Sequence, residues 1–272
     1  MSRHYTIFGG TGFIGSELAS QIEERGNTVT RIGRNSWPLP GSELGQVIFC
    51  IGMTADFRRR LIETFELQAL RLHEALTHYR YESFLYLSSS RVYDGASSTQ
   101  EETPLLVHPA RVDHIYNISK LAGESLCIAH ENPCIRVARL SNVYGRTDNS
   151  NLFLTAVMRD AVTSGEVTIG QSPTSSKDYI GVEDAAALLI AISDNGKQRI
   201  YNVACGRNFT HRQLADILEQ QGYRVQFKAD GAIASFPQID ITRIACEFET
   251  PVLDPVARLP SVLNYLKTKA KV

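Results

Sequence analysis

The sequence predicts an α/β fold, a doubly wound parallel sheet with helices on both faces, followed by a small C-terminal lobe. Three observations predict it. A short β-rich run at the start stops on glycines and passes straight into a helical pattern. Apolar strands and amphipathic stretches then alternate through the first half of the chain. Residues 46–51 form a nearly continuous apolar run, as expected of a strand covered on both faces.

Residues 4–8 are the opening strand, closed by Gly9 and Gly10, and residues 13–25 carry helical periodicity. Residues 28–32 and 46–51 are the next strands. Between them, residues 34–45 hold Pro38, Pro40 and Gly41, which oppose a regular helix, so an abbreviated sheet edge is expected. A helix over 58–79, a strand over 84–87, a helix over 116–130 and a strand over 135–140 follow. After Gly145 the pattern loosens into a helix over 152–164, a turn-rich stretch over 170–176 and a helix over 183–192. A strand over 200–204 is expected to return to the main sheet, before a helix over 210–221 and a mixed tail from Phe236.

The segment Gly9-Gly10-Thr11-Gly12-Phe13-Ile14-Gly15 joins the first strand to the first helix. It holds glycines three apart, at 9, 12 and 15, and a G-x-G-x-x-G frame from Gly10. Glycine allows positive φ in the turn, close approach of backbone to a pyrophosphate, and tight packing of helix on strand. The helix N-terminus then faces the phosphates. The segment is therefore a candidate dinucleotide cradle, and the sheet is of Rossmann type. Residues 1–145 form the expected NAD(P)-binding domain, rejoined by 183–192 and 200–204, while 146–272 form mainly a substrate-binding lobe.

A carboxylate about 20 residues after the glycines would hold the ribose of NAD. Here the second strand ends Ile32-Gly33-Arg34-Asn35-Ser36, with no carboxylate. Arg34, with Ser36 or Arg31, is placed to pair instead with a 2′-phosphate, because guanidinium binds phosphate through two hydrogen bonds. NADP is the expected cofactor, with NAD as the alternative.

Tyr116 and Lys120 stand four apart, hence on one face of a helix. A phenol titrates near about 10, so acid/base work near neutrality needs a neighbouring cation, and Lys120 is placed to supply it. Ser88, Ser89 and Ser90 follow the strand over 84–87 at its C-terminal end, the edge where open parallel sheets bind ligands.

The chain length of 272 residues, at 43% hydrophobic, suffices for a full core. With 28 basic and 29 acidic residues spread along the chain, no basic stripe exists for nucleic acid. Five scattered cysteines show no C-x-x-C spacing, and the histidines show no metal-binding spacing, so no metal is expected. No apolar run reaches membrane-spanning length and the first strand leaves no room for a signal peptide, so the expected compartment is cytoplasmic. The stripe Leu61, Phe65, Leu72 and Leu76 fits either packing against the sheet or a homodimer face. The basic cluster Asp56-Phe57-Arg58-Arg59-Arg60 offers contact to a substrate phosphate as one reading, but a short charge run opening a helix reads as solvated surface.

Together, the glycine turn, Ser88-Ser89-Ser90-Arg91-Val92-Tyr93, Tyr116 to Lys120, and Arg139-Leu140-Ser141-Asn142-Val143-Tyr144-Gly145 resemble the extended short-chain dehydrogenase/reductase superfamily. Its members include NAD(P)-dependent nucleotide-sugar epimerases, dehydratases and reductases, and the resemblance covers nearly the whole chain. It implies Ser89 as catalytic hydroxyl (Ser90 if the register slips by one), Tyr116 as acid/base, and Lys120 on the cofactor ribose. It also implies a nucleotide-sugar substrate met by Ser89, Ser90 and Arg91, with Asn142 and Lys177 at its diphosphate; lysine at 177 stands where the family has arginine and lacks the bidentate fork. The family's 4,6-dehydratases carry an acidic pair where Ser90 and Arg91 stand, which argues against dehydration.

The expected activity is reduction of a nucleotide keto-sugar with NADPH. The alternative is a redox-neutral NAD-dependent epimerase using the same residues. A non-catalytic redox sensor or scaffold would typically lose the tyrosine or lysine, and both are present.

Overall fold

A computed structural model describes residues 2–34, 36–53, 57–146, 152–249 and 252–270. The chain divides into two compact units. One comprises Met1–Leu140, Ala185–Val203 and Thr242–Thr250, and the other Ser141–Asp184, Ala204–Ile241 and Pro251–Val272.

The first unit runs β1 (His4–Phe8), α1 (Phe13–Glu24), β2 (Thr28–Ile32), β3 (Gln46–Phe49), α2 (Leu61–Phe65), a π-helical turn (Glu66–Leu70), α3 (Arg71–His78), β4 (Ser83–Ser89), a 3₁₀ turn (Ser90–Tyr93), α4 (His114–Ala129) and β5 (Ile135–Leu140). The second unit opens with β6 (Asn142–Tyr144), α5 (Phe153–Ser164), β7 (Glu166–Gln171) and β8 (Ser176–Gly181). The chain then gives α6 (Val182–Asn195) and β9 (Ile200–Val203) largely to the first unit, β10 (Asn208–Thr210), α7 (His211–Gln220) and β11 (Arg224–Ala232) to the second, α8 (Thr242–Glu247) to the first and α9 (Pro255–Lys269) to the second.

Six strands form one parallel sheet in the order β2-β1-β3-β4-β5-β9. This is the doubly wound Rossmann-type arrangement, and β9 returns to the sheet beside β5. All four residues of β3 are buried, and β1 and β4 are nearly so, because helices cover both faces. On one face Phe8, Phe49, Phe84 and Tyr86 pack with Leu72, Ala75 and Leu76 of α3. Leu72 and Leu76 thus face the sheet, while in α2 Leu61 and Phe65 are only partly buried. The described residues between β2 and β3 form no helix: Trp37 stacks obliquely on Phe8 at 4.9 Å and the Tyr79 hydroxyl donates to the Pro38 carbonyl at 3.0 Å.

Two elements depart from the sequence reading. The strand expected over 84–87 extends through Ser89, so Ser88 and Ser89 are strand residues pointing to opposite faces. The helix expected over 58–79 begins only at Leu61 and is interrupted by the π turn, whose extra residue turns Gln68 into the interior.

In the second unit β10-β8-β6 form one small sheet and β11-β7 another. Leu259, Leu263 and Leu266, on one face of α9, join Leu154, Met158, Leu214 and Leu218 in its core. Each such buried side chain contributes about 2 kcal/mol. A capping box at Thr210 and Gln213 starts α7. The turn expected over 170–176 narrows to residues 172–175, between β7 and β8.

Candidate active site

Gly9 has φ +80° and meets the backbone of Cys50 and Ile51 at 3.3 Å from where a Cβ would stand. A Cβ on Gly15 would lie 2.2 Å from the Gly9 carbonyl oxygen, and one on Gly10 only 2.8 Å from the Arg31 Cβ. These positions admit only glycine. At Gly12 the nearest atom would be 3.2 Å away. Gly12 is the N-cap of α1 and has no side chain to close it, so the first-turn N–H groups are left to whatever approaches the turn. The cradle therefore fits a dinucleotide pyrophosphate.

Beyond β2, Arg34 and Ser36 are exposed, and the Ser36 hydroxyl accepts from the Gly33 N–H at 2.7 Å. Arg31 is engaged elsewhere, with Glu23 at 2.9 Å, which leaves Arg34 as the arginine of this corner without an ion pair among the described residues. Asn35 lies outside the described residues.

Tyr116 and Lys120 are both buried on α4. The phenol of Tyr116 meets the Ser89 hydroxyl. Burial raises the Tyr116 pKa, while the Ser89 hydrogen bond and the Arg91 charge oppose that rise. The guanidinium of Arg91 lies over the Tyr116 ring, 6.0 Å from its centroid. The cation that favours phenolate in this structure is thus Arg91, where the sequence reading assigned the part to Lys120.

Lys120 Nζ donates to the Leu87 carbonyl at 2.8 Å and sits 3.3 Å from where a Cβ on Gly52 would be. Burial pulls its pKa down to about 8, against the opposing influence of Glu124 and Cys50. Gly9, Cys50, Gly52 and Lys120 thereby form a path from the glycine turn to the Leu87 carbonyl, two residues before Ser89 on β4.

The strand alternation sorts the serines. Ser88 donates to Glu124 at 2.5 Å, and Glu124 is held by Arg139 through a buried pair at 2.7 Å. Ser89 is left to face Tyr116, and buried Ser90 opens the 3₁₀ turn. Arg139 also donates to the Tyr93 hydroxyl at 2.8 Å, which in turn donates to Asn202 at 2.8 Å. This buried network braces β4, α4 and β5 behind the site.

Three contributors were not legible in the sequence. Gly52 gives the room that Lys120 occupies. Gln68 accepts from Ser119 at 2.8 Å and donates to the Met53 carbonyl at 3.1 Å, tying α4 to the loop after β3. Phe57 is buried with its ring 5.0 Å from that of Tyr116, so the run read as solvated surface belongs in part to the site. Asp56, Thr54 and Ala55 lie outside the described residues.

In the second unit Asn142 donates to the Asp178 carbonyl at 2.8 Å, and Lys177 is half-buried on β8. The buried Asp178 carboxylate accepts from the N–H groups of Cys205 at 3.0 Å and Arg207 at 3.1 Å. Burial raises its pKa, and these hydrogen bonds oppose the rise. Among the described residues no three His, Cys, Asp or Glu side chains gather as a metal-ligand group, and no helix is long and apolar enough to cross a membrane.

Solved structures of similar fold include RMD from Pseudomonas aeruginosa complexed with NADPH, at 19% identity and TM-score 0.77 over 97% of this chain and 100% of that one. UDP-glucose 4-epimerase from Thermotoga maritima with UDP-glucose matches at 17% identity and TM-score 0.74, over 98% and 99% of the two chains. The NAD-dependent NDP-hexosamine 5,6-dehydratase TunA, of tunicamycin biosynthesis, matches at 16% identity and TM-score 0.79, over 97% and 98%. At these identities the likeness speaks for the fold. A sequence model described as the NAD dependent epimerase/dehydratase family matches residues 43–204, well over half of the chain, and the protein belongs to that family.

Proposed function

We propose that this protein is an NADP-dependent oxidoreductase that reduces a keto group on a nucleotide-activated sugar. The observation that carries the reading is the meeting of Ser89 and Tyr116 beside Lys120, on a sheet whose glycine turn fits a dinucleotide. Relatives of the same fold were solved with NADPH and with UDP-glucose, which supports both the cofactor and the substrate class.

The residues 9–15 would hold the pyrophosphate, Arg34 and Ser36 the 2′-phosphate, and Lys120 the nicotinamide ribose. The bound cofactor supplies a hydride to the carbonyl carbon. Tyr116 gives its phenolic proton to the oxygen that becomes the alcohol, and Ser89 donates a hydrogen bond to that same oxygen. Arg91, over the Tyr116 ring, favours the phenolate left behind. Asn142 and Lys177 are the candidates for the substrate diphosphate.

A redox-neutral NAD-dependent epimerase is the second reading, because the same Tyr116 can take and return the proton, and a solved structure of the same fold is a UDP-glucose 4-epimerase. Acid release and identification of any dinucleotide carried by the purified protein separates the two. Near-stoichiometric NAD supports the epimerase, whereas an empty protein that takes up NADPH selectively and consumes it with nucleotide keto-sugars supports the reductase.

A further inference from the structure

Arg91 is a cation without an adequate anion. Its side chain is about two-thirds buried, and its closest carboxylate, Asp113, stands 3.5 Å away and is shared with Arg111 at 3.3 Å. Its Nε is buried and has no hydrogen-bond partner among the described residues. Guanidinium offers five N–H donors, and leaving one in the interior unmatched is costly.

A second guanidinium converges on the same place. Arg58 lies over the Phe57 ring at 4.5 Å from its centroid, and Arg91 lies over that ring at 5.1 Å. Two positive charges therefore share one aromatic ring that itself packs on Tyr116. Their mutual repulsion, with burial as the larger influence, lowers the Arg91 pKa. Asp94 and Asp113 offset this only in part. An anion reaching the Arg91 guanidinium would relieve the burial and the repulsion together.

The place of this pair limits what the anion is. Arg91 stands two residues after Ser89, with its guanidinium over the ring of Tyr116, so its ligand lies on the part of the substrate that reacts. A diphosphate on the anomeric oxygen belongs to the other end of a sugar whose ring carbon is reacting. A carboxylate on the sugar ring is planar, bidentate and correctly located.

Resting on the reading of the site as one for nucleotide sugars, we propose that Arg91, assisted by Arg58, recognises a carboxylate on the sugar. The substrate class is then a nucleotide-activated uronic acid rather than a neutral hexose.

The test is calorimetric titration of the NADP⁺-loaded protein with matched pairs: UDP-glucose and UDP-glucuronic acid, dTDP-glucose and dTDP-glucuronic acid, GDP-mannose and GDP-mannuronic acid. The wild type should bind the carboxylated member of its preferred pair about tenfold or more tightly than the neutral one. Arg91→Gln should bring the two within about twofold through loss of affinity for the carboxylated member, and Arg91→Lys should fall between. Arg58→Gln, at an exposed position, should reduce the preference by about threefold. NADP⁺ binding together with a cooperative melting curve like the wild type's shows that each variant is folded.

Equal affinities in the wild type, or a preference that survives Arg91→Gln, overturn the inference. So does equal weakening of both members of a pair, which would assign Arg91 to the diphosphate while leaving the nucleotide-sugar reading intact. Binding of no pair at all overturns both.

Discussion

The ammonium of Lys120 donates to the carbonyl of Leu87, the residue two before Ser89 on β4. That bond holds a buried cation against the strand that carries Ser89, and it ties α4 to β4. Burial disfavours the charge, so the ammonium titrates at about 8 rather than near 10.5. Between those values the unfolded chain binds a proton that the folded one does not, and stability rises with pH.

Lys120→Met should therefore raise the melting temperature of the ligand-free protein at pH 7. Removing the buried charge contributes about 3 kcal/mol, offset by about 1 for the hydrogen bond to Leu87. The advantage should shrink as pH rises from 8 toward 10.5. Melting curves across that range check it, and an advantage that grows with pH would refute the account.

Tyr116→Phe keeps the ring packing on Phe57 and removes the proton. Turnover should fall by about 10² to 10⁴ while NADPH binding, followed by nicotinamide fluorescence, stays within about twofold.

Arg34→Ala should weaken NADPH by about tenfold and NADH hardly at all, since an exposed guanidinium pairing with a 2′-phosphate contributes about 1 to 2 kcal/mol. Equal losses for the two cofactors would remove Arg34 from the site.

The glycines of the turn should separate by clearance. Gly15→Ala sets a methyl 2.2 Å from the Gly9 oxygen and should destabilise the fold. Gly12→Ala meets its nearest atom at 3.2 Å and should fold with a melting temperature close to wild type, yet lose dinucleotide binding at the uncapped end of α1.

Replacing Glu124 by Gln leaves Arg139 buried without a countercharge and should cost about 3 to 5 kcal/mol in denaturant unfolding. Because Glu124 also accepts from Ser88 on β4, the same variant should reduce turnover through displacement of Ser89.

Much of the first unit could be read in the sequence because its signals are local. The order of β1, α1, β2 and β3 follows from apolar runs and glycine stops, and Tyr116 and Lys120 share a face by helical spacing alone. Ser88 and Ser89 were read as following the strand because serine carries little strand preference; their places in β4 come from pairing with Arg139 and Leu140 of β5. Arg91 over Tyr116, and Gly52 beneath Lys120, depend on approaches between segments distant in sequence. The small sheets of the second unit were the least legible. Among the described residues β11 pairs only with β7, and its inward residues Val225 and Phe227 are diluted by polar neighbours.

The π turn at Glu66–Leu70 makes this stretch of chain a phase shifter. It carries one residue more than an α-helix of the same rise, which rotates α3 by about 100° relative to α2. Deleting one residue there would leave a plausible uninterrupted helix, yet it would swing Gln68 away from Ser119 and Met53, or Leu72 and Leu76 away from the sheet. Insertions and deletions at this point act as rotations, so length in this segment is constrained by angle rather than by reach.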